Sequence, residues 1–216
     1  MGQREEIIAK EEILKKIRQS LLVSKENPFD NKDFSENIFK SILEIPEMIF
    51  AKEFINSGGN FVFCENPNDF FNQFNNIIKQ KNWNKFRITK SSIKKFLNIA
   101  DENIIEPDLC DGEEVSITQC DFLSARTGSI LISSTICPDR LAWSFCNTHI
   151  VFATSNQVVE NLTTAYDLLR KKYNEDYPSI ISVINGTSKT TNIEGNLVFG
   201  AHGPQEIYLF LIDKIN

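Results

Sequence analysis

From residue 60 onward, short apolar runs alternate with segments of helical period. Most of the runs are apolar at consecutive positions, which is typical of strands buried on both faces. The runs lie at 60–64, 85–89, 115–118, 129–133, 149–154, 179–184 and 207–212. Amphipathic segments lie between several of them, at 67–81, 91–99 and 161–173. This alternation predicts an α/β fold with a mainly parallel sheet flanked by helices.

The first 57 residues have a different pattern, which is helical throughout most of its length. Residues 3–22 predict an amphipathic helix, and residues 34–57 predict a second helical stretch that Pro46 interrupts and Gly58 ends. We therefore expect an N-terminal helical segment, 1–57, that packs on a main α/β domain, 58–216. The apolar stripe of the first helix is equally compatible with packing on another copy of the chain, as a homo-oligomer.

Charge and hydropathy narrow the class of partner. The net charge is −6 and the pI is about 5.1, which disfavours nucleic-acid binding because that function usually needs a basic stripe. The first 22 residues are charged throughout, unlike a secretory leader, and no segment is long and apolar enough to span a membrane. We expect a cytoplasmic protein that binds neither nucleic acid nor membrane.

The cysteines and histidines predict no metal centre. The chain has five cysteines, and no pair has the C-x-x-C spacing of zinc ribbons or iron–sulfur sites. We expect most of them to be small buried residues, and no cofactor bound through cysteine motifs. The two histidines, His149 and His202, are far apart in sequence, so a histidine-rich metal site is not predicted. The identity of any other cofactor stays open.

Residues 185–206 hold four of the nine glycines in the chain and begin where the strand 179–184 ends. Ligands of parallel sheets bind outside the carboxyl ends of the strands, so we expect a site here. Backbone N–H groups, hydroxyls and one ammonium can converge there on a phosphate or carboxylate. The alternative is an ordinary polar loop. The predicted ligand-binding residues of this stretch are Gly186, Thr187, Ser188, Lys189, Thr190, Gly200 and Gly203.

A second group of predicted ligand-binding residues lies at the start of an apolar strand and consists of Arg126, Thr127, Gly128 and Ser129. Gly128 would bring the backbone close to a ligand. The alternative is a turn or bulge at the strand start.

Glu194 and His202 are candidates for acid–base catalysis. The alternatives are that Glu194 pairs with Lys189 or caps a backbone N–H, and that His202 hydrogen-bonds to loop carbonyls.

Two sequence blocks resemble a known family. Residues 185–195 read N-G-T-S-K-T-T-N-I-E-G and residues 200–204 read G-A-H-G-P. Together with V-S-I-T-Q-C-D-F-L-S-A-R-T-G-S-I-L-I at 115–132, they resemble the LUD domain, and more narrowly its lactate-utilisation C type. Arg126 stands where that family commonly has Glu, and Gln205 where Arg or Lys is common, so a charge is reversed beside the expected site.

The resemblance implies a fold like the NagB/RpiA/CoA-transferase group, close to 5-formyltetrahydrofolate cyclo-ligase. It also implies an accessory role, without independent activity, in bacterial oxidation of L-lactate to pyruvate. A small anionic or phosphate-bearing ligand would bind at the loops, and iron–sulfur subunits of a lactate-oxidation complex would be the partners. The alternatives are a stand-alone CoA-transferase-like or cyclo-ligase-like enzyme, and a non-catalytic structural subunit.

Overall fold

The computed structural model describes residues 2–22, 44–88, 90–99, 103, 115–191, 197–199 and 203–213. Its helices are α1 (Gly2–Leu22), α2 (Pro46–Asn56), α3 (Pro67–Lys81), α4 (Ser91–Leu97) and α5 (Leu162–Tyr173). Its strands are β1 (Asn60–Cys64), β2 (Phe86–Ile88), β3 (Val115–Gln119), β4 (Phe122–Ser124), β5 (Ser129–Ser133), β6 (Thr148–Thr154), β7 (Val158–Val159), β8 (Ile181–Ile184), β9 (Lys189–Thr191), β10 (Leu197–Phe199) and β11 (Glu206–Ile212).

The helix boundaries follow from local capping. Asn66 accepts a hydrogen bond from the Asp69 N–H at the start of α3, and Pro67 occupies the first turn, where its missing N–H costs nothing. Asn82 ends the helix in the left-handed conformation that Asn tolerates well. Asn161 caps α5 in the same way, through the Thr164 N–H. The predicted helices 67–81 and 161–173 are confirmed almost to the residue.

Five strands form a wholly parallel sheet in the order β1-β11-β6-β3-β2. The central strands β11 and β6 pair from Glu206↔Thr148 to Ile212↔Thr154, so their amino ends meet at one edge and their carboxyl ends at the other. The predicted mainly parallel sheet flanked by helices is confirmed.

Each face of this sheet has its own apolar core. Tyr208 and Phe210 of β11 lie on one face, in the core built with Phe70 and Phe74 of α3. The intervening side chains Ile207, Leu209 and Leu211 face the opposite side, in the core built with Phe50 and Phe54 of α2. Burial on both faces explains why β11 is apolar at consecutive positions.

A second sheet of four strands, β7-β4-β5-β8, packs into the α2 side of the core through residues such as Leu123 and Ile130. Two of its three pairs are antiparallel, β4 with β5 and β5 with β8, and β4 pairs with β7 in parallel. The assignment of 179–184 to the parallel sheet is therefore wrong. β8 is a sheet-edge strand with a half-exposed Val183 (40%), and the sequence carries no sign of strand direction. The helix α5 covers the far side of this sheet through Ala165 and Leu169.

Contacts divide the chain into compact units at 1–41 and 42–216. The helix α2 thus belongs to the same unit as the sheets. In the prediction from sequence it was part of the N-terminal helical segment, 1–57. Residues 34–43 of the predicted second helix lie outside the described part. In α1 the apolar residues Ile13 and Ile17 are exposed, at 59% and 49%. Among the described residues, no helix is long and apolar enough to cross a membrane.

Candidate functional site

The loop that follows β8 lies at the amino edge of the parallel sheet. The Ser188 N–H donates to the Pro204 carbonyl at 3.0 Å, just before β11 begins. Lys189 Nζ donates to the Ser57 carbonyl at 3.2 Å, between α2 and β1. The loop therefore sits beside the amino ends of β1 and β11. The expectation that it lies at the carboxyl edge of the parallel sheet is wrong, because β8 belongs to the second sheet, where it runs antiparallel to β5.

Several residues that the sequence singled out do converge at this amino edge. A Cβ added at Gly203 would lie 3.1 Å from the Ser188 Cβ, and one at Gly58 would lie 3.3 Å from Thr187 Oγ1. Residues 57–58, 186–189 and 203–204 thus form one surface, which we call the amino-edge loops. It is built from three segments that are distant in sequence.

Two of the predicted ligand-binding glycines are required by close packing on α2. A Cβ at Gly186 would lie 2.1 Å from the Ser57 carbonyl oxygen, and one at Gly128 would lie 2.4 Å from the Phe54 nitrogen. Both glycines also have positive φ, 70° and 61°. Gly128 ends a short 3-10 helix, Ala125–Thr127, immediately before β5. The turn alternative therefore accounts for Gly128 without a ligand.

Lys189 brings positive charge to the carboxyl end of α2. The last carbonyls of a helix carry partial negative charge, and a nearby ammonium stabilises them. The Lys189 side chain is exposed, and its ammonium has three N–H donors, of which the Ser57 carbonyl takes one. Lys189 can therefore cap α2 and still offer hydrogen bonds to an anion in solution.

The other predicted ligand residues have local partners. The Arg126 guanidinium pairs with the Glu160 carboxylate at 3.2 Å, and the Arg126 N–H donates to the Glu160 carbonyl at 3.0 Å. Thr127 Oγ1 donates to Ser124 Oγ at 2.9 Å, and Ser129 is buried in β5. Glu160 supplies the charge partner that makes an arginine at position 126 acceptable.

Both predicted catalytic residues, Glu194 and His202, lie outside the described residues, as does Gly200. Thr190 lies in β9, and its side chain is likewise outside the described part. Their roles stay predictions. Among the residues that the structure does describe, no three His, Cys, Asp or Glu side chains are close enough to hold a metal ion.

The carboxyl edge of the parallel sheet holds open space. A cavity of about 450 Å³ lies between the amino half of α2 and the ends of β1 and β11. A second cavity, of about 250 Å³, lies on the opposite face, between α4 and the ends of β3 and β6. We call them the α2 cavity and the α4 cavity. Both are where ligands of open α/β sheets bind.

Side-chain hydrogen bonds hold this edge in place. Ser155 Oγ donates to Asp213 Oδ1 at 3.0 Å, and the Asp213 N–H donates to the Cys64 carbonyl at 2.8 Å. Gln157 links β6 to β3, because its amide donates to the Cys120 carbonyl at 2.7 Å and accepts from the Thr154 N–H at 2.8 Å. No role was predicted for Ser155, Gln157 or Asp213 from the sequence. Ser155 and Asp213 each directly follow an apolar strand, and Gln157 stands three residues after one.

A buried carboxylate clamps α5 to the second sheet. Asp121 accepts from Lys172 Nζ at 2.7 Å, from the Tyr173 hydroxyl at 2.5 Å and from the Ser133 N–H at 2.8 Å. Burial, followed by the bond to Asp121, raises the pKa of Tyr173. The described partners of the Asp121 carboxylate belong to α5 and β5, so its role is to join these two elements.

Burial acts on the cysteines and on one histidine of the core. The four described cysteines are buried thiols, as predicted, and burial raises the pKa of Cys64 to about 11. His149 is fully buried, its Nε2 lies 2.8 Å from Thr118 Oγ1, and desolvation lowers its pKa to about 3. Its imidazole is therefore neutral in the folded protein near neutral pH.

Comparison with known proteins gives the chain relatives. It is 28% identical over 101 residues to Lactate utilization protein C of Anoxybacillus flavithermus, covering 46% of this chain and 44% of the relative. It is 29% identical over 103 residues to Lactate utilization protein C of Bacillus subtilis, covering 46% and 43%. The matched part thus spans less than half the length of these curated relatives.

A solved structure has the same fold. The crystal structure of a DUF162 family protein from Deinococcus radiodurans matches with a TM-score of 0.58 at 15% sequence identity. The match covers 77% of this chain and 96% of that chain. Finally, the family model of the LUD domain matches residues 48–212, from the first turn of α2 to the end of β11. The chain belongs to the LUD domain family.

Proposed function

We propose that this protein is an accessory component of bacterial lactate utilisation and that it binds a small anionic ligand at the amino-edge loops. The role is supported by the names of the curated relatives, which are Lactate utilization protein C in several bacteria. The observation that carries the ligand site is the exposed ammonium of Lys189. It lies in the amino-edge loops and donates to the Ser57 carbonyl.

The chemistry of these loops suits a carboxylate or phosphate. Lys189 contributes a formal positive charge, and the hydroxyls of Thr187 and Ser188 stand next to it in the chain. A small hydroxy acid or keto acid, such as L-lactate or pyruvate, presents one carboxylate to such a group. Iron–sulfur subunits remain the proposed partners, since the cysteines described in this chain are scattered and buried.

A purely structural role is the second candidate, and a specific observation favours it. Gly128 and Gly186 are explained by contact with α2, and Lys189 caps that helix. If this role is the whole function, the loops bind no ligand and the protein acts only by joining a complex.

Thermal unfolding with added anions separates the two candidates. L-lactate, pyruvate, phosphate, ATP and CoA would be tested against the wild type, Lys189→Met and the control Lys79→Met, an exposed lysine of α3. A ligand at 100 times its dissociation constant stabilises by about 2.7 kcal/mol, which raises the melting temperature by several degrees. We expect one of the anions to produce that shift in the wild type and in Lys79→Met, and not in Lys189→Met.

A shift that persists in Lys189→Met would remove the ligand from the amino-edge loops. If no anion shifts either protein, the structural role is favoured, and a pull-down with iron–sulfur subunits then tests the accessory assignment. A protein that binds no such subunit would contradict the accessory assignment as well.

A further inference from the structure

The floor of the α4 cavity consists of side chains at the carboxyl ends of three neighbouring strands. Gln119 of β3 lies beside Phe152 of β6 in the parallel register, and Ile212 of β11 lines the same cavity. Side chains alternate between the two faces of a strand, so Gln119 follows Val115 and Ile117 on the face that carries the core with α3. An amide therefore stands at the end of a strand face that is otherwise apolar.

The Gln119 carboxamide is available to a ligand. Its side chain is half-buried at the cavity, and among the residues that the structure describes nothing hydrogen-bonds to it. Gln157 lines the same cavity, but its amide already donates to the Cys120 carbonyl and accepts from the Thr154 N–H. Gln119 thus keeps two N–H donors and one acceptor oxygen for a ligand in the cavity.

The wall that α4 contributes is aromatic. The Phe96 ring lies 5.7 Å from the Phe152 ring, centroid to centroid, and the two planes are inclined by 29°. Phe96 is nevertheless 39% exposed, so part of its ring remains open for stacking. The cavity volume of about 250 Å³ suits a single substituted ring rather than a larger ligand.

The α4 cavity has no charged lining in the part of the chain that the structure describes. The lysines of α4, Lys94 and Lys95, are not among the lining residues. The helix start borders the cavity at Ser92, but α4 has only seven residues, and the next two N–H groups both donate to the Lys90 carbonyl, at 3.0 and 3.2 Å. A carboxylate or ammonium would lose its hydration here without gaining a counter-charge, so the cavity favours a neutral ligand.

We propose that the α4 cavity binds a neutral planar ring that carries a carboxamide or lactam group. The ring would stack on Phe96, and its amide would pair with Gln119 through two reciprocal hydrogen bonds, one donated by each partner. Nicotinamide and uracil are compounds of this class. The site is independent of the amino-edge loops, because it lies at the opposite edge of the parallel sheet and requires no charge on the ligand.

Three pyridine derivatives test the preference for a neutral amide. Nicotinamide, 3-acetylpyridine and nicotinate share one ring, and at pH 7 they carry a carboxamide, a ketone without N–H donors and a carboxylate. We expect nicotinamide to bind about tenfold tighter than 3-acetylpyridine, because only the amide donates to Gln119, and nicotinate to bind most weakly. Isothermal titration or ligand-observed NMR on the full chain gives the three dissociation constants.

Two variants with matched controls locate the binding. Gln119→Met removes the amide and should abolish the preference for nicotinamide over 3-acetylpyridine, whereas Gln80→Met, at an exposed position of α3, should leave it unchanged. Phe96→Ala removes the stacking surface and should weaken both ligands about tenfold. Its control is Phe63→Ala, which removes an exposed ring of the α2 cavity and should weaken neither.

The side-chain amide of Gln119 also gives a direct signal. Its NH₂ resonances, assigned by their absence in Gln119→Met, should shift when nicotinamide is added to the wild type. Lys189→Met should change none of the three dissociation constants, which separates this site from the proposed anion site.

Three results would each overturn the proposal. One is nicotinate binding as tightly as nicotinamide, another is an amide preference that survives Gln119→Met, and the third is saturable binding by none of the three probes. The cooperativity of urea unfolding, measured for each variant, shows whether a lost signal reflects lost folding. If Gln119→Met unfolds, the comparison of Phe96→Ala with Phe63→Ala still decides whether the probes enter the α4 cavity.

Discussion

The two edges of the parallel sheet are built in different ways. At the amino edge, segments distant in sequence meet through backbone contacts that only glycine permits, as at Gly186 against Ser57. At the carboxyl edge, side-chain hydrogen bonds such as Ser155 to Asp213 hold the strand ends around open cavities. Glycine-rich sequence therefore marks close packing in this protein, whereas the open space lies beside residues that form no recognisable motif.

Among the hydrogen-bonded side chains, the one whose removal should cost the most stability is Asp121, which follows β3 and clamps α5 to the second sheet. Asp121→Ala should lower the free energy of unfolding by about 3–5 kcal/mol, because it removes the hydrogen bonds that Lys172, Tyr173 and the Ser133 N–H donate to a buried carboxylate and leaves that N–H without its acceptor. Urea unfolding followed by circular dichroism measures the loss.

The control for that experiment is Asp176→Ala, which removes an exposed carboxylate in the turn after α5 and should change stability by less than about 0.5 kcal/mol. Equal stability of the two variants would contradict a clamping role for Asp121.

Substitutions that enlarge a side chain should lower stability more at the packed amino edge of the parallel sheet than at its open carboxyl edge. Gly186→Ala should destabilise by about 3 kcal/mol, because the new methyl overlaps the Ser57 carbonyl and the backbone has positive φ. Gly58→Ala has positive φ as well, yet its Cβ would meet only side-chain atoms at 3.3 Å or more, so its loss should be about 1 kcal/mol.

The matching experiment at the carboxyl edge is Ala51→Leu, whose added atoms enter the α2 cavity. Its stability should stay within about 1 kcal/mol of the wild type. If Ala51→Leu costs as much as Gly186→Ala in the same urea series, the contrast between a packed edge and an open edge is wrong.

The buried imidazole near the amino ends of the strands gives a pH signature. Unfolded His149 takes up a proton near pH 6.5, while the folded protein resists protonation down to about pH 3. Protons therefore bind the unfolded state more readily than the folded state. The contribution of neutral His149 to the free energy of unfolding is complete above pH 6.5 and is lost as the pH falls toward 3. By pH 5 the loss from His149 is about 2 kcal/mol.

His149→Gln should lose this part of the pH dependence. The difference in unfolding free energy between wild type and variant, measured from pH 8 to pH 5, isolates His149 from all other titrating groups. A difference that is constant over this range would show that folding does not lower the pKa of His149.

Much of the fold could be predicted because burial leaves a local signature. β11 is apolar at consecutive positions since both of its faces are buried, and α3 begins and ends at residues with strong capping preferences. The short strands β4, β7, β9 and β10 were not predicted, because two or three residues are too few to show a period.

The candidate site could be predicted only in part. The sequence drew attention to residues 186–189 and 203, which the structure brings together with residues 57–58. It placed them at the wrong edge, because the direction of β8 depends on pairing with β5 and is not encoded in the residues of β8. Gln119 was overlooked for a related reason, since a single amide at the end of a strand gains meaning only from the cavity beside it.

The sequence by itself determined the order of the helices and of the longer strands, the apolar core and the family, because each follows from local period, capping or a continuous motif. The tertiary structure decided which strands pair, which glycines are forced by packing and where open volume remains. Those properties depend on contacts between residues that are far apart in the chain, such as Lys189 with Ser57 and Ser155 with Asp213.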